Sequence, residues 1–228
     1  MSSAHADAGH NPYLAHHFET VEQQEESCTL GMWLFLAQEV MFFGGLFMAY
    51  AVYRLKYTAA WHVGSAELNV FIGGLNTVVL LLSSFTMAMG VYYCQVGNSK
   101  RLFQMLSATL GLGITFVVVK LIWEYSPKIH YGVFPGSGWG PDAGHYPELA
   151  AFSDQGALQI FFVMYYIMTG MHALHMIIGF AILLVLMWMT RQNKFGPKRY
   201  MPILFFGLYW HFVDIVWVFL FPMFYLVT

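Results

Sequence analysis

Five stretches of this chain stay apolar for long enough to cross a membrane, and polar segments separate them. They run over about 30–53, 68–94, 102–123, 157–189 and 201–227, where roughly 20 apolar residues suffice to cross the hydrocarbon core. Helices and closed barrels alone satisfy their backbone groups in lipid, so each stretch reads as a transmembrane helix. The predicted fold is an all-α integral membrane protein, a five-transmembrane-helix bundle over 28–228, preceded by a polar tail over 1–27. The fourth stretch exceeds what a bilayer needs and predicts a helix that tilts or protrudes. A Gly- and Pro-rich loop over about 125–156 separates the third and fourth. It includes Phe134-Pro-Gly-Ser-Gly-Trp-Gly-Pro141 and is too polar and broken to span. A loop this long is usually a functional or docking surface.

The polar positions inside the spans carry the chemistry. His211 and Asp214 stand three apart in the fifth span, on one helical face. His172 and His175 repeat that spacing in the fourth. Glu39 lies about 14 Å along its helix from Leu30, near mid-membrane. Titratable groups at that depth are costly and need a partner or a cavity; for Glu39 a histidine of the fourth span is the expected partner. The His211–Asp214 pair reads either as a structural lock or as a redox or proton site. Asn76, Thr77, Ser83 and Ser84 in the second span are the small hydroxyl and amide groups that pair helices in membranes. Lys120 and Glu124, four apart near the end of the third span, read as a local ion pair with the lysine snorkelling to the surface.

Composition narrows the class. Only 10% of residues are charged against 58% hydrophobic, and a net charge of −2 offers no basic stripe for nucleic acid. Cys28 and Cys94 are the only cysteines, too few for a disulfide framework or a Cys-based metal site. The first 27 residues hold four glutamates and no Lys or Arg, which is not the pattern of a cleaved signal. His5, His10, His16 and His17 in that segment are too loosely spaced for a metal site, and a solvated tail is expected. Lys100, Arg101, Arg191, Lys194, Lys198 and Arg199 fall on one side of the membrane, and Arg54, Lys56 and Lys128 on the other. The excess places the N-terminus in the cytoplasm and the long loop and C-terminus outside.

Three function classes fit buried histidines and carboxylates. A cytochrome could bind one haem between His172 or His175 and His211. A di-iron oxygenase needs more histidines and carboxylates than the spans hold. A non-catalytic subunit packed on a redox partner needs no complete ligand set, only polar groups that join helices.

Four motifs carry a resemblance. Gly31-Met-Trp-Leu-Phe-Leu-Ala-Gln-Glu-Val-Met-Phe-Phe43, Leu75-Asn-Thr-Val-Val-Leu-Leu-Leu-Ser-Ser-Phe-Thr-Met87, Gly170-x-His-x-x-His-x-x-x-Gly179 and Tyr209-Trp-His-Phe-Val-Asp-Ile-Val-Trp217 resemble, in order, subunit III of haem-copper terminal oxidases, the cytochrome c oxidase type. The resemblance runs from about residue 28 to the end. It implies a proton-pumping oxidase that reduces oxygen to water, with haem and copper in partner subunits and no metal or catalytic residue in this one. It implies contact with the catalytic subunit I and other oxidase subunits, bound phospholipid, support of proton uptake, and a bacterial inner-membrane location. The family's buried polar and lipid-cleft positions fall on Glu39, His172, His175, His211 and Asp214. Five spans match the shorter bacterial form; longer members have two more at the start, so the cleft those two help to form is either open here or closed by another subunit. Lys120-Leu-Ile-Trp-Glu124 holds one residue more than the family's spacing. The long outer loop, 126–153, implies a further periplasmic partner. The alternative from a different class is a free-standing membrane cytochrome with one bis-His haem.

The charge asymmetry makes a direct prediction. Reporter domains fused after Asn98 and after Thr228 should report opposite sides of the membrane, with Asn98 inside; the same side for both would refute five spans.

Overall fold

The computed structural model describes residues 18–227. The four histidines expected in a solvated tail lie outside those residues. Eight α-helices follow: α1 Val21–Lys56, α2 Thr58–Ala66, α3 Val70–Val96, α4 Ser99–Val119, α5 Ser126–His130, α6 Pro147–Ala151, α7 Gln155–Arg191 and α8 Met201–Tyr225. A π-helical turn, Lys120–Tyr125, joins α4 to α5. Five helical runs are long and apolar enough to cross a membrane, with the third reaching from Ser99 to His130. Among the described residues there is no β-strand, only an isolated bridge between Gly196 and Arg199. The chain divides into two compact units, one ending at Met41 and one beginning at Phe42.

The helix ends follow from local chemistry. Thr20 Oγ1 accepts the Gln23 amide at 3.1 Å, and Gln23 reaches back to the Glu19 amide at 3.0 Å. This reciprocal cap starts α1 at Val21, inside the segment read as tail. Asn69, Asn98 and Asp154 cap α3, α4 and α7 with their side chains. Gly97, at φ 81°, ends α3 in the left-handed conformation and leads straight into the Asn98 cap.

In the second unit α3 packs on α4 and α8, and α7 packs on the same two, so these four helices close into a ring. Their buried positions explain why. In α3 they are Gly73, Asn76, Leu80, Ser83, Met87, Gly90 and Cys94, alternating steps of three and four. Leu102, Leu106, Thr109, Gly113 and Phe116 keep the same alternation in α4. A mean period of 3.5 is that of a left-handed, knobs-into-holes seam.

The π-helical turn continues that logic. Phe116, Lys120, Glu124 and Lys128 are all buried, each four residues after the last. On a regular α-helix every step of four drifts by about 40°, so three steps would carry the row off the core face. The wider turn takes up the drift. Single π-turns are how helices absorb such distortions.

At the centre of the ring Trp210 is fully buried and lies where α4 and α7 come close. An added Cβ on Gly113 would stand 2.7 Å from the Phe180 ring and 3.1 Å from Trp210, and one on Gly179 2.8 Å from Trp210. Gly111, two residues earlier and on the opposite side of the helix, has nothing within 4 Å. Gly113→Leu should therefore destabilise the folded chain by about 1–3 kcal/mol through overpacking, while Gly111→Ala should be neutral or stabilising by up to about 1 kcal/mol. Thermal melts in detergent separate the two; equal melting temperatures would contradict the close approach at Trp210.

Candidate functional site

The polar residues of the spans form two groups. The first joins the ring of four helices at mid-depth. Trp210 Nε1 donates to Ser83 Oγ at 3.1 Å, and Ser83 donates to the Thr109 carbonyl at 3.2 Å. Asn76 Nδ2 donates to the Phe116 carbonyl at 3.1 Å, and Trp217 Nε1 to Thr77 Oγ1 at 3.0 Å. Ser84 Oγ and His211 Nδ1 stand 2.6 Å apart. Every one of these bonds crosses between helices, as expected of small polar groups with no water to turn to.

The histidines are held one by one. His175 Nδ1 lies 2.8 Å from the carbonyl of Met171 in its own helix, and its carbonyl accepts Tyr209 OH at 2.8 Å. Its ring also packs 5.3 Å from Phe43. His172 is 1% exposed, its ring 5.1 Å from Trp217 and 5.6 Å from Phe116, and both its nitrogens lack a hydrogen-bond partner. His211 is engaged by Ser84. Asp214, read with His211 as a structural lock or a redox or proton site, is buried with both oxygens unbonded, although the Ser84 hydroxyl lies close by. Glu39 belongs to the first unit and is 9% exposed. Among the described residues no three His, Cys, Asp or Glu side chains converge as a metal ion would require.

The second group was not legible as a site. Lys120 was expected to snorkel; instead it is 4% exposed and Glu124 2%. Lys120 Nζ donates to Glu124 Oε2 and to Tyr225 OH. The same Oε2 accepts Tyr225 OH, and Tyr165 OH at 2.7 Å. The ammonium also stands 4.8 Å from the Trp217 ring and 4.9 Å from those of Tyr165 and Tyr225. Charge, hydrogen bonds and ring faces together replace the water that a lysine loses on burial. Beside this cluster Tyr125 OH meets Thr169 Oγ1 at 2.5 Å. The end of α8 is tied into the same layer, because Tyr50 donates to the Met223 carbonyl and Ser65 to that of Phe224 at 2.7 Å.

Outside the spans the loop has a defined structure. Val133 and Gly140 amides bond the carbonyls of Lys128 and Gly132, and Trp139 Nε1 donates to Gln155 Oε1 at 3.1 Å. The Tyr131 ring stacks on His145 at 3.7 Å, and His145 hydrogen-bonds Asp142, which holds that carboxyl below its usual range. Glu67, opposite, is pushed up by burial and by the nearby Glu148, against the pull of Lys128. A cavity of about 610 Å³, lined by Tyr125, Ile129, Phe134, Tyr166 and Ile167 among others, opens where the loop meets α7.

Comparison with known proteins gives a consistent result. The family model described as cytochrome c oxidase subunit III matches residues 7–137 and 146–228. A protein from Nocardia farcinica named probable cytochrome c oxidase subunit 3 is 34% identical over 199 residues, 87% of each chain. A cytochrome c oxidase subunit 3 from Thermostichus vulcanus is 27% identical with the same coverage. A protein from Aeropyrum pernix named heme-copper oxidase subunit I+III is 33% identical over 86% of this chain and 22% of its own length.

The buried ion pair generates a thermodynamic prediction. Removing one partner strands the other, so Lys120→Met and Glu124→Gln should each cost about 3–5 kcal/mol, while replacing both should cost less than either alone. A double-mutant cycle by thermal denaturation in detergent checks this; simple additivity would mean that the two groups do not interact.

Proposed function

The chain belongs to the cytochrome c oxidase subunit III family, and on that footing we propose that it is the non-catalytic membrane subunit of a haem-copper oxidase that reduces oxygen to water and pumps protons. Haem and copper reside in partner subunits, foremost subunit I, and this chain stabilises that catalytic subunit. The observation that carries the reading is how the three intramembrane histidines are held. His172 is clamped between Phe116 and Trp217, His175 is bonded within its own helix, and His211 is taken by Ser84. Each serves helix packing, the role that a structural subunit requires. The fused relative, named as subunit I+III, supports close pairing with subunit I.

Finer roles follow the family positions. Glu39, His172, His175, His211 and Asp214 are the proposed contributors to proton supply and lipid contact, and Asn76, Thr77, Ser83 and Ser84 to helix packing. Phospholipid is the proposed ligand of the exposed apolar flanks. The nearly apolar cavity beneath the loop has the size of a small-ligand site and suits an acyl chain. The loop over 126–153 is proposed to dock a further periplasmic partner; its internal hydrogen bonds hold Phe134 half exposed on a fixed scaffold. The likeness to bacterial subunits supports a bacterial inner membrane, and the charge asymmetry a cytoplasmic N-terminus.

Purification in mild detergent tests the central claim. Subunit I and its haem should copurify with this chain, and the chain stripped of partners should show no Soret band. A Soret band at one haem per chain after stripping would overturn the reading in favour of a bis-His cytochrome.

A further inference from the structure

Among the described residues, seven buried side-chain nitrogen and oxygen atoms have no hydrogen-bond partner in the chain, and five of them belong to Asn76, His172 and Asp214. These three come from α3, α7 and α8, and all are buried. They meet around one ring. Trp217 lies 5.1 Å from the His172 ring and 4.8 Å from that of Phe116, whose carbonyl holds Asn76. Its indole nitrogen bonds Thr77, the residue after Asn76. Asp214 precedes Trp217 by three positions on the same face of α8, about 4.5 Å along the axis. Most of the unmet polar capacity therefore gathers within one turn of a single level of the ring.

Their bonding capacities show what is missing. Asn76 Oδ1 only accepts, while its Nδ2 already donates to Phe116. A neutral His172 brings one donor and one acceptor, and Asp214 brings acceptors, with one donor if it holds a proton. Neutral or ionised, the set has more acceptor sites than donors, so the three side chains cannot satisfy one another. Water supplies two donors and two acceptors, and a buried molecule takes about three hydrogen bonds to groups of this kind. Asp214 also leaves space at its own level. It stands between Trp210 and Trp217 on the inward face, at steps of four and three, and is far shorter than either indole.

We propose that the four-helix ring holds a buried water site, in which ordered water bridges His172 to Asp214 with Asn76 Oδ1 as the third partner. The water makes His172 and Asp214 neighbours in one hydrogen-bond network, although neither bonds the other directly. It joins α3, α7 and α8 at the level of Trp217, as Ser83 and Trp210 join helices directly further along the ring. The histidine nitrogens and the carboxylate are then spent on a shared molecule, and burying them no longer leaves them dry. This chain alone builds the site, so its test is separate from that of the oxidase reading.

The test is a cryo-EM map of the purified protein, with whatever subunits accompany it, at a resolution that shows ordered water. Density is expected about 2.7–3.2 Å from a His172 nitrogen, leading through water to an Asp214 oxygen. A direct His172–Asp214 bond, no density between them, or a peak with the oxygen distances of a bound cation would overturn the site. Asp214→Asn should keep the bridge and Asp214→Leu should lose it; a bridge that survives in Asp214→Leu would also overturn it. Thermal melts in detergent give a second readout. His172→Phe and Asp214→Leu should each lower the melting temperature, and together by less than the sum, because both remove partners of the same water. Strict additivity would contradict a shared molecule, and the map of the unaltered chain decides the matter should a variant fail to fold.

Discussion

One carboxylate oxygen governs the loop end of the bundle. Glu124 Oε2 accepts from Lys120 on its own helical run, from Tyr165 on α7 and from Tyr225 on α8. Three elements thus converge on a single acceptor in an interior that offers no water. A charge there persists only because its counter-charge, its donors and the surrounding rings are all in place together. The π-helical turn that turns Lys120 and Glu124 inward, the end of α8 and the start of α7 are all fixed by that requirement. Hydrophobic burial brings such helices together in a general way; an acceptor with three donors sets their rotation and depth.

Mid-depth in the ring the controlling constraint is shape. Trp210 occupies space that Gly113 and Gly179 leave free, and its indole N–H is spent on Ser83. A large ring at a crossing of four helices needs small neighbours and one hydroxyl, and α3, α4 and α7 supply them. Close packing and the hydrogen bond reinforce each other, because a shift of either α4 or α7 would press on the ring that Ser83 holds. The histidines fit the same pattern of polar tips on apolar bodies, each spent on a neighbouring helix or a carbonyl. His172 and Asp214 are the exceptions, buried with polar atoms that the chain does not satisfy.

Much of this was legible in the residues. The lengths of the apolar runs fix the number of crossings, and Asn76, Ser83 and Ser84 announce their pairing role because small polar groups in lipid have few other uses. The helix start at Val21 falls inside the segment that reads as tail, because its polarity and loosely spaced histidines outweigh the cap signature of Thr20-x-x-Gln23. Burial of Lys120 could not be read locally. A lysine four residues from a glutamate near the end of a span looks the same whether it snorkels or is caged, and the cage comes from Tyr165, Trp217 and Tyr225, far along the chain. The regular spacing of Phe116, Lys120, Glu124 and Lys128 was the available clue, because a strict step of four stays on one face only where the helix widens.

The ties at the end of α8 also have an order in time. Tyr50 and Ser65 lie 173 and 159 residues before the carbonyls they bond, and Tyr225 reaches back 101 residues to Glu124. A ribosome makes α8 after the other described helices. Until then the hydroxyls of the first-made segments and the carboxylate of the third span wait without these partners. Among the described helices α8 therefore acts as the key of the bundle in the mason's sense, laid after the others and letting them bear on each other. A nascent chain halted before Phe224 would leave the loop end unlocked, with Lys120 and Glu124 lacking Tyr225 and Ser65 lacking its acceptor.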